Sequence, residues 1–376
     1  IFNNPQTGAV SLHLGTIAPP FGPLLKSDFQ EIEQISRSID FSPLPVRYGE
    51  KMFNEQNVMV ADEHIFDLFK VDVTRGNPEN ALTGPFSVML SEKMAKKYFG
   101  DEDPMDKMVR MDSRFNLKVT GIFKAFPANT HFHPEFLISF NTLNDTAVYG
   151  AENLRTNWGN NSFFTYIKVP AGFDPKNMEA RFPAFIDKHM PVGGQPQFKR
   201  SQGTSLTLQK LTDIHLHSHL DYEAEENGDI KRIYVFSAIA LFILLIACIN
   251  YMNLSTARSA LRAREIGIRK TVGAERSVLI TQFLAESLLI SWVAMIIAVA
   301  LSWVLLPWLN QVSGQQLSMT SLMNTKTILI LAAVPFLVGI LSGIYPAVFM
   351  SSFQPVKVLK GLFKAGSGTI SFRKVL

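Results

Sequence analysis

Eight histidines are the side chains in this sequence that could most readily bind a metal ion. His215, His217 and His219 alternate in DIHLHSHL, so a β-strand would place all three imidazoles on one face, a set that zinc could use. No carboxylate stands at an obvious spacing to orient them, and exposed polar positions on a strand give the same pattern. His131 and His133 fit a loop. We therefore predict no metal site.

The sequence carries no motif for hydrolysis or for binding ATP. The phosphate-binding pattern G-x-x-x-x-G-K-[ST] is missing, since Gly361 and Gly366 have its glycine spacing but Ser367 follows instead of lysine. Neither G-x-S-x-G nor H-E-x-x-H occurs. We predict no catalytic residue and no cofactor, and we expect a protein that is not itself an enzyme.

The most basic short stretch is the segment 255–282, which separates two long apolar runs. A short basic segment between two membrane spans remains on the cytosolic side. Orientation and contact with lipid headgroups explain such charges as well as a specific site would. Only Glu265 and Glu275 oppose its cations, which are Arg258, Arg262, Arg264, Arg269, Lys270 and Arg276.

Glu286 is the one ionisable residue inside a predicted span. Ionisable groups within the bilayer are costly, so they are candidates for function by default. Glu286 also lies about one turn beyond Gln282, close enough to reach the cytosolic interface. Both interpretations of this intramembrane polar residue remain open.

Three apolar runs, at 233–254, 283–309 and 327–350, are long enough to cross a bilayer as helices. With the basic segment in the cytosol, the first span must enter from outside, so residues 1–230 are predicted to be extracytoplasmic. The charge balance agrees: the chain after residue 233 has twelve Lys or Arg and three Asp or Glu, which leaves 24 and 29 before it. This asymmetry indicates two compartments rather than binding to nucleic acid.

Residues 1–230 mix helical and strand patterns and are long enough to bury a sizeable core, as one region or as two lobes joined around 144–161. The fold class predicted is an α+β extracytoplasmic domain followed by an all-α transmembrane region of three helices. The spacing of apolar, capping and turn residues predicts helices at 28–39, 92–99 and 174–189, strands at 57–61, 86–90, 163–169 and 204–211, and a hairpin of 108–111 with 115–123.

Several motifs resemble the permease family of ABC transporters typified by MacB and FtsX. In the membrane region they are REIGIRKTVGA at 264–274, QFLAES at 282–287 and GIYPAVFMSSFQPVKVLKG at 343–361. The stretches 86–111 and 115–127 are similar to the extracytoplasmic core domain of that family. The family commonly has glycine where this chain has Asp106, which leaves the local turn open.

The resemblance implies a permease subunit in the cell inner membrane, which couples hydrolysis by a separate cytosolic ABC ATPase to movement of the external domain. It implies four spans, of which the first is missing here, and a possible dimer or duplicated second half that FRKVL would begin. The domains are then 1–230, 231–356 and a cytosolic linker at 357–376. The coupling residues it implies, within a coupling loop at 255–282, are Arg264, Glu265, Ile266, Gly267, Arg269, Lys270, Gly273 and Ala274.

Two other functions share much of this pattern. An extracytoplasmic sensor that signals through its spans to a cytosolic partner would have the same topology and no transported substrate. A membrane-anchored metal hydrolase is the third candidate and would need the histidines described above. The sequence does not identify a substrate, and we predict no nucleic-acid partner.

Overall fold

The structure is a computed structural model, and it describes residues 1–3, 7, 9–127, 129–192, 199–313, 317–319 and 323–352. The predicted linker at 357–376 lies outside these residues. The chain divides into two units, a front unit of Ile1–Ile230 and a helical unit of Lys231–Leu376. Each is described separately below.

A ten-stranded mixed sheet organises the front unit, with strand order β12-β3-β6-β11-β8-β10-β9-β4-β5 and β7 beside β10. The pairs β6–β11 and β8–β10 are parallel, and the other pairs are antiparallel. A separate two-stranded sheet pairs β1 with β2. The strands are β1 Phe2–Asn3, β2 Val10–Leu12, β3 Gln34–Asp40, β4 Leu44–Tyr48, β5 Lys51–Glu55, β6 Val58–Ala61, β7 Val73–Arg75, β8 Ser87–Ser91, β9 Met108–Met111, β10 Phe115–Phe123, β11 Phe136–Ser139 and β12 Phe164–Lys168.

Seven short α-helices and two 3₁₀ turns cover this sheet. The central strands are buried on both faces of the sheet. On β6, for example, the successive residues Met59 and Val60 project to opposite faces and belong to two different apolar clusters. The helices are α1 Phe21–Asp28, α2 Ile65–Leu68, α3 Glu92–Phe99, α4 Ala151–Thr156, α5 Pro175–Glu179, α6 Phe182–His189 and α7 Leu211–His217, and the 3₁₀ turns are Phe140–Asn144 and Arg200–Gln202.

Local signals in the sequence correctly predicted α3 and the hairpin that follows it. Ser91 caps α3 by accepting a hydrogen bond from the Met94 N–H at 3.2 Å, and Gly100 ends the helix with φ +63°. The hairpin turn places Asp112 and Ser113 in the left-handed region, which short polar residues tolerate better than most. These predictions are confirmed.

Three other predicted elements are wrong in type or extent. The region 28–39 is not one helix, because α1 ends at 28 and 34–40 forms β3, which pairs with β12 and β6 on its two sides. The predicted helix 174–189 is split into α5 and α6, since Pro183 has no N–H to donate to the preceding turn. In the predicted strand 204–211, Thr204 makes only a single bridge, to Phe2.

The three histidines therefore do not alternate on a strand. His215 and His217 lie on α7, and His219 follows the helix. Residues two positions apart on a helix are about 200° apart around its axis, so these two side chains lie on opposite sides. Among the residues that the structure describes, no group of three or more His, Cys, Asp or Glu is placed to hold a metal ion.

The helical unit has three helices that are long and apolar enough to cross a membrane, as the sequence predicts. They are α8 Ile230–Thr271, α9 Arg276–Ser313 and α10 Thr325–Ser351. The segment 255–282, which the sequence predicts to be a cytosolic loop between two spans, is mostly helical. Its residues continue α8 for more than three turns beyond the apolar stretch, reverse direction at 272–275 and begin α9.

Small residues bring α9 and α10 into close contact. A Cβ added at Gly343 would lie 2.7 Å from Ser287 Oγ and 2.8 Å from Ser287 Cβ, and one at Gly339 would lie 2.9 Å from Leu288 Cα. Ala347 continues the same four-residue spacing and is fully buried. Such spacing lets membrane helices gain van der Waals contact where lipid provides little hydrophobic drive.

We expect Gly343→Ala to lower the free energy of unfolding by about 1–3 kcal/mol, because the added methyl group overlaps Ser287. Unfolding by SDS in mixed micelles measures this change. Ser287→Gly removes both overlapping atoms, so the double variant should recover part of the loss. The lipid-exposed Ile340→Leu in the same turn is the matched control. Full stability of Gly343→Ala would contradict the close packing.

The front unit should also lose stability in acid because of His131. This residue is 7% exposed, and its Nε2 lies 2.7 Å from the Tyr166 hydroxyl. Burial, with smaller contributions from His133 and His215, lowers the pKa of His131 from 6.5 to about 4. The unfolded chain therefore binds a proton that the folded chain does not, so stability is present above pH 6.5 and is lost as the pH falls towards 4.

The expected loss across this window is roughly 2–3 kcal/mol from His131 alone. Chemical denaturation of the full chain at pH values between these two, followed by the fluorescence of the front unit, tests it. His131→Phe should remove most of the slope of stability against pH. An equal slope in the His131 variant would show that other groups are responsible.

Candidate functional site

The reversal between α8 and α9 is a tightly defined helix end. Gly273 has φ +100°, a conformation that glycine adopts without strain. Its N–H donates to Lys270 O at 3.2 Å, and the Ala274 N–H donates to Arg269 O at 2.9 Å. This pair of bonds is the Schellman arrangement, which satisfies the last carbonyl groups of a helix. The predicted role of Gly273 at a helix C-terminus thus has a geometric basis, and it fixes how α9 leaves α8.

An apolar cluster fastens this helical hairpin to the end of α10. Ile266, on the extension of α8, is 2% exposed and lies among side chains of all three helices. The adjacent Gly267 is buried as well. The other buried members of the cluster are Ala263, Leu279, Phe283, Ala347 and Met350.

Polar side chains form a continuous chain of contacts along the hairpin. Glu286 accepts hydrogen bonds from Arg262 Nη1 at 2.9 Å and from Gln282 Nε2 at 3.2 Å. Gln282 Oε1 accepts one from Arg269 Nη1 at 2.8 Å, and Arg269 Nη2 donates to Glu265 Oε1 at 2.5 Å. The Glu265–Arg269 pair is the one that the four-residue spacing predicts. Glu286 is thus a partnered residue on the hairpin rather than an isolated charge.

Two cations tie the hairpin to the carboxyl end of α10. Lys270 Nζ donates to Ser351 O at 2.6 Å, and Arg276 Nε lies 3.2 Å from Ser351 Oγ. Basic side chains at a helix C-terminus satisfy free carbonyl groups and oppose the negative end of the helix dipole. The turn between α8 and α9 is therefore held to α10 by charge as well as by apolar packing.

The structure brings most of the predicted coupling residues together, with one exception. Ile266, Glu265, Arg269, Lys270 and the Gly273 turn take part in the contacts above, whereas Arg264 is exposed and takes no part in them. The prediction missed Arg262, Gln282, Arg276 and Ser351. Arg262 and Gln282 could be found only once α8 and α9 are known to be antiparallel, because that register sets which residues face each other.

An apolar stripe remains exposed beside this network. Ile268 follows Arg264 by four residues on α8. Val272 stands four residues further on, just past the end of α8, where its N–H donates to Ile268 O at 3.1 Å and the residue is 83% exposed. Val278, on the first turn of α9, is also more than half exposed. We call these four residues the tip surface. Arg264, Ile268 and Val272 lie beyond the candidate span Ile230–Arg258 of α8, so lipid tails do not account for the exposure of Ile268 and Val272, whereas Val278 belongs to the candidate span of α9.

Comparison with known proteins gives two matches to family models. Residues 5–185 match the model described as MacB-like periplasmic core domain, and residues 237–355 match the one described as FtsX-like permease C-terminal. Together these models cover most of the chain, with their boundary in the stretch that leads into α8.

Two individual proteins are similar to this chain at low sequence identity. The macrolide export ATP-binding/permease protein MacB of Bdellovibrio bacteriovorus is 23% identical over 275 residues, which is 72% of this chain and 38% of that protein. The ABC transporter permease YknZ of Bacillus subtilis is 21% identical over 274 residues, which is 72% of this chain and 61% of that protein. The chain thus spans less than two thirds of either relative.

Among solved structures, the periplasmic region of MacB from Actinobacillus actinomycetemcomitans aligns with a TM-score of 0.33 and 16% identity, over 50% of this chain and 79% of that one. The match of residues 5–185 and 237–355 to the two family models is therefore the stronger finding.

The contact between Arg262 and Glu286 should contribute a measurable coupling energy. Each single charge reversal, Arg262→Glu or Glu286→Arg, leaves two like charges about 3 Å apart, so both should lower the free energy of unfolding. The double reversal restores an opposite pair. We expect a coupling of about 0.5–1 kcal/mol, because both side chains are partly exposed. SDS titration of the purified chain measures it, and strictly additive losses would contradict the contact.

Proposed function

Because this chain belongs to the ABC transporter permeases that join a MacB-like periplasmic core domain to an FtsX-like permease domain, we propose that it couples ATP hydrolysis by a separate cytosolic ATPase to movement of its extracytoplasmic domain. The ATPase docks on the tip surface. The observation that carries this proposal is that Ile268 and Val272 are exposed on a hairpin that is held to α10. The apolar cluster around Ile266 and the bonds of Lys270 and Arg276 to Ser351 hold it there.

Exposed apolar side chains on a fixed support are what a docking surface requires. Interfaces gain most of their affinity from a few buried anchors, and these are worth more when they lose little conformational freedom on binding. Val272 and Ile268 are held in helical geometry by the turn at Gly273 and by the cluster around Ile266. The charged Arg264 and Glu275 beside them give such a surface a polar rim.

The geometry of α8 suits transmission of movement. It is one helix of 42 residues, about 63 Å long, with no proline in its sequence. A displacement at the tip surface therefore reaches the residues at the start of α8 without an intervening loop. The hairpin contacts to Ser351 pass the same displacement to α10. In this proposal the work is performed on the extracytoplasmic side.

The direction of transport is also part of the proposal. The Bdellovibrio relative is named for macrolide export, and we extend to this chain only the direction, export or extrusion. The same relative is named as an ATP-binding/permease protein, whereas YknZ is named as a permease. We propose the second arrangement for this chain, with the ATPase as a separate subunit.

We expect Val272→Asp to weaken capture of the ATPase by the full chain, and its stimulation, by about tenfold or more, because a charge replaces an apolar anchor. The measurements are co-purification from cells and ATP turnover after reconstitution in vesicles. Val10→Asp, at an exposed valine of the front unit, is the control. Undiminished capture and stimulation in the Val272 variant would overturn the docking surface.

A second variant tests the support rather than the surface. Gly273→Leu forces a β-carbon into a left-handed conformation, which costs about 1–2 kcal/mol and re-aims α9 relative to α8. No neighbouring atom lies within 4 Å of that β-carbon, so overpacking is not a factor. Gly172→Leu meets the same conditions at φ +80° in the front unit and serves as the control. We expect loss of ATPase stimulation only in the Gly273 variant, with both proteins inserted in the membrane.

A further inference from the structure

The outer edge of β12 in the front unit has backbone groups without partners among the described residues. The backbone N–H and C=O groups of Phe164, Tyr166 and Lys168 point towards β3. Their partners on β3 are the alternate residues whose own backbone groups do not bond to β6. Thr165 and Ile167 must then direct their N–H and C=O groups to the opposite edge. The strand thus ends the sheet with two residues free to pair.

This edge begins to pair and then stops. Phe163, just before β12, exchanges two backbone hydrogen bonds with Ile17, at 2.9 and 3.1 Å. Continuing that antiparallel register would place Gly15 opposite Thr165. Instead the Gly15 N–H donates to Tyr222 O at 3.1 Å. The segment 13–16 therefore diverges from β12, and its backbone pairs with residues 221–222 instead.

A glycine makes this divergence possible. A Cβ at Gly15 would lie 2.5 Å from Tyr222 O, closer than any side chain tolerates. The Asp221 N–H donates to His13 O at 2.8 Å, and the His13 N–H donates to Asp221 Oδ2 at 2.6 Å. These bonds hold the segment 13–15 against 221–222 and keep it away from β12.

The divergence opens a slot of about 660 Å³ along Thr165 and Ile167. The segment 205–209 forms another part of its wall and belongs to no helix or strand. The two faces of the slot differ in chemistry. The face on the side of Ile167 is apolar, with Leu25, Met178, Phe182 and Leu208. The face on the side of Tyr166 carries the polar groups of His131 and Glu223 beside Leu68 and Ala224.

We propose that this slot binds an extended polypeptide segment, which adds to β12 as a further strand and pairs with Thr165 and Ile167. Two residues two positions apart offer donors and acceptors about 6.6–6.8 Å from one another, a repeat that an extended backbone matches. Addition of a strand to a free sheet edge is a general mode of peptide recognition. The inference concerns the front unit alone and does not depend on an ATPase partner.

The two faces define the peptide's side chains. Residues that project on the side of Ile167 enter the apolar face near Phe182 and are expected to be aliphatic. Their alternate neighbours project towards the Tyr166 hydroxyl and the Glu223 carboxylate and are expected to be hydroxylated or cationic. The slot therefore takes a strand of alternating character, the same pattern that half-buried strands have.

Binding to the full chain in lipid nanodiscs tests this directly. The probe is a fluorescein-labelled heptapeptide, Val-Thr-Val-Lys-Val-Thr-Val, followed by anisotropy, and we expect a Kd below about 1 mM. Two further peptides carry N-methyl groups on the odd or on the even amides. Because each set of amides lies along one edge of a strand, at least one methylated peptide should bind about tenfold more weakly. No binding at millimolar probe, or equal binding of all three peptides, would overturn the proposal.

Variants of the chain locate the site. Thr165→Pro removes only the outward N–H of an edge residue, so pairing with β3 remains, and we expect the Kd to rise about tenfold. Thr207→Trp fills the slot from the wall segment and should abolish binding, whereas Gln202→Trp, at an exposed residue outside the slot, should not. Thermal unfolding checks that each variant is folded. If Thr165→Pro unfolds the chain, the tryptophan pair decides, and equal binding by both would contradict the site.

Discussion

The membrane part of this chain depends on one small apolar cluster, in which Ile266 of α8 is buried against α9 and the end of α10. Within the bilayer the helices gain little from the hydrophobic effect, because lipid tails are as apolar as their side chains. Ile266 lies beyond the candidate span of α8, where the hydrophobic effect favours its burial away from water. The hairpin is therefore fixed where it leaves the membrane, and the tip surface is fixed with it.

The tip surface and the unpaired edge of β12 in the front unit suit different kinds of binding. At the tip, the turn at Gly273 and the bonds of Lys270 and Arg276 to Ser351 hold the hairpin to α10, while Ile268 and Val272 remain exposed. In the front unit, the central strands are buried on both faces, but the edge at Thr165 is left unpaired because Gly15 pairs elsewhere. The first arrangement favours contact with a cytosolic partner, and the second favours capture of an extended chain outside the membrane.

The sequence predicted those elements whose signals are local. The cap at Ser91, the glycine at 100 and the three apolar runs each act within a few turns of the chain, and all three predictions are confirmed. The helical spacing of Ile32, Ile35 and Ile39 predicts a helix through residues 34–40, and only pairing with two distant strands makes these residues β3. The charges of the basic segment indicate which side of the membrane it occupies but not its conformation. The partners of Glu286 and the free edge of β12 depend on long-range register, which no local pattern contains.

We propose that a cytosolic ATPase engages this permease at the tip surface. Site-specific photocrosslinking in intact cells tests this, with benzoylphenylalanine at position 272 and, for comparison, at the lipid-exposed position 293. We expect a crosslink from 272 to an ATP-binding protein, and none to that protein from 293. A protein crosslinked equally from both positions, or lipid as the only product at 272, would contradict it.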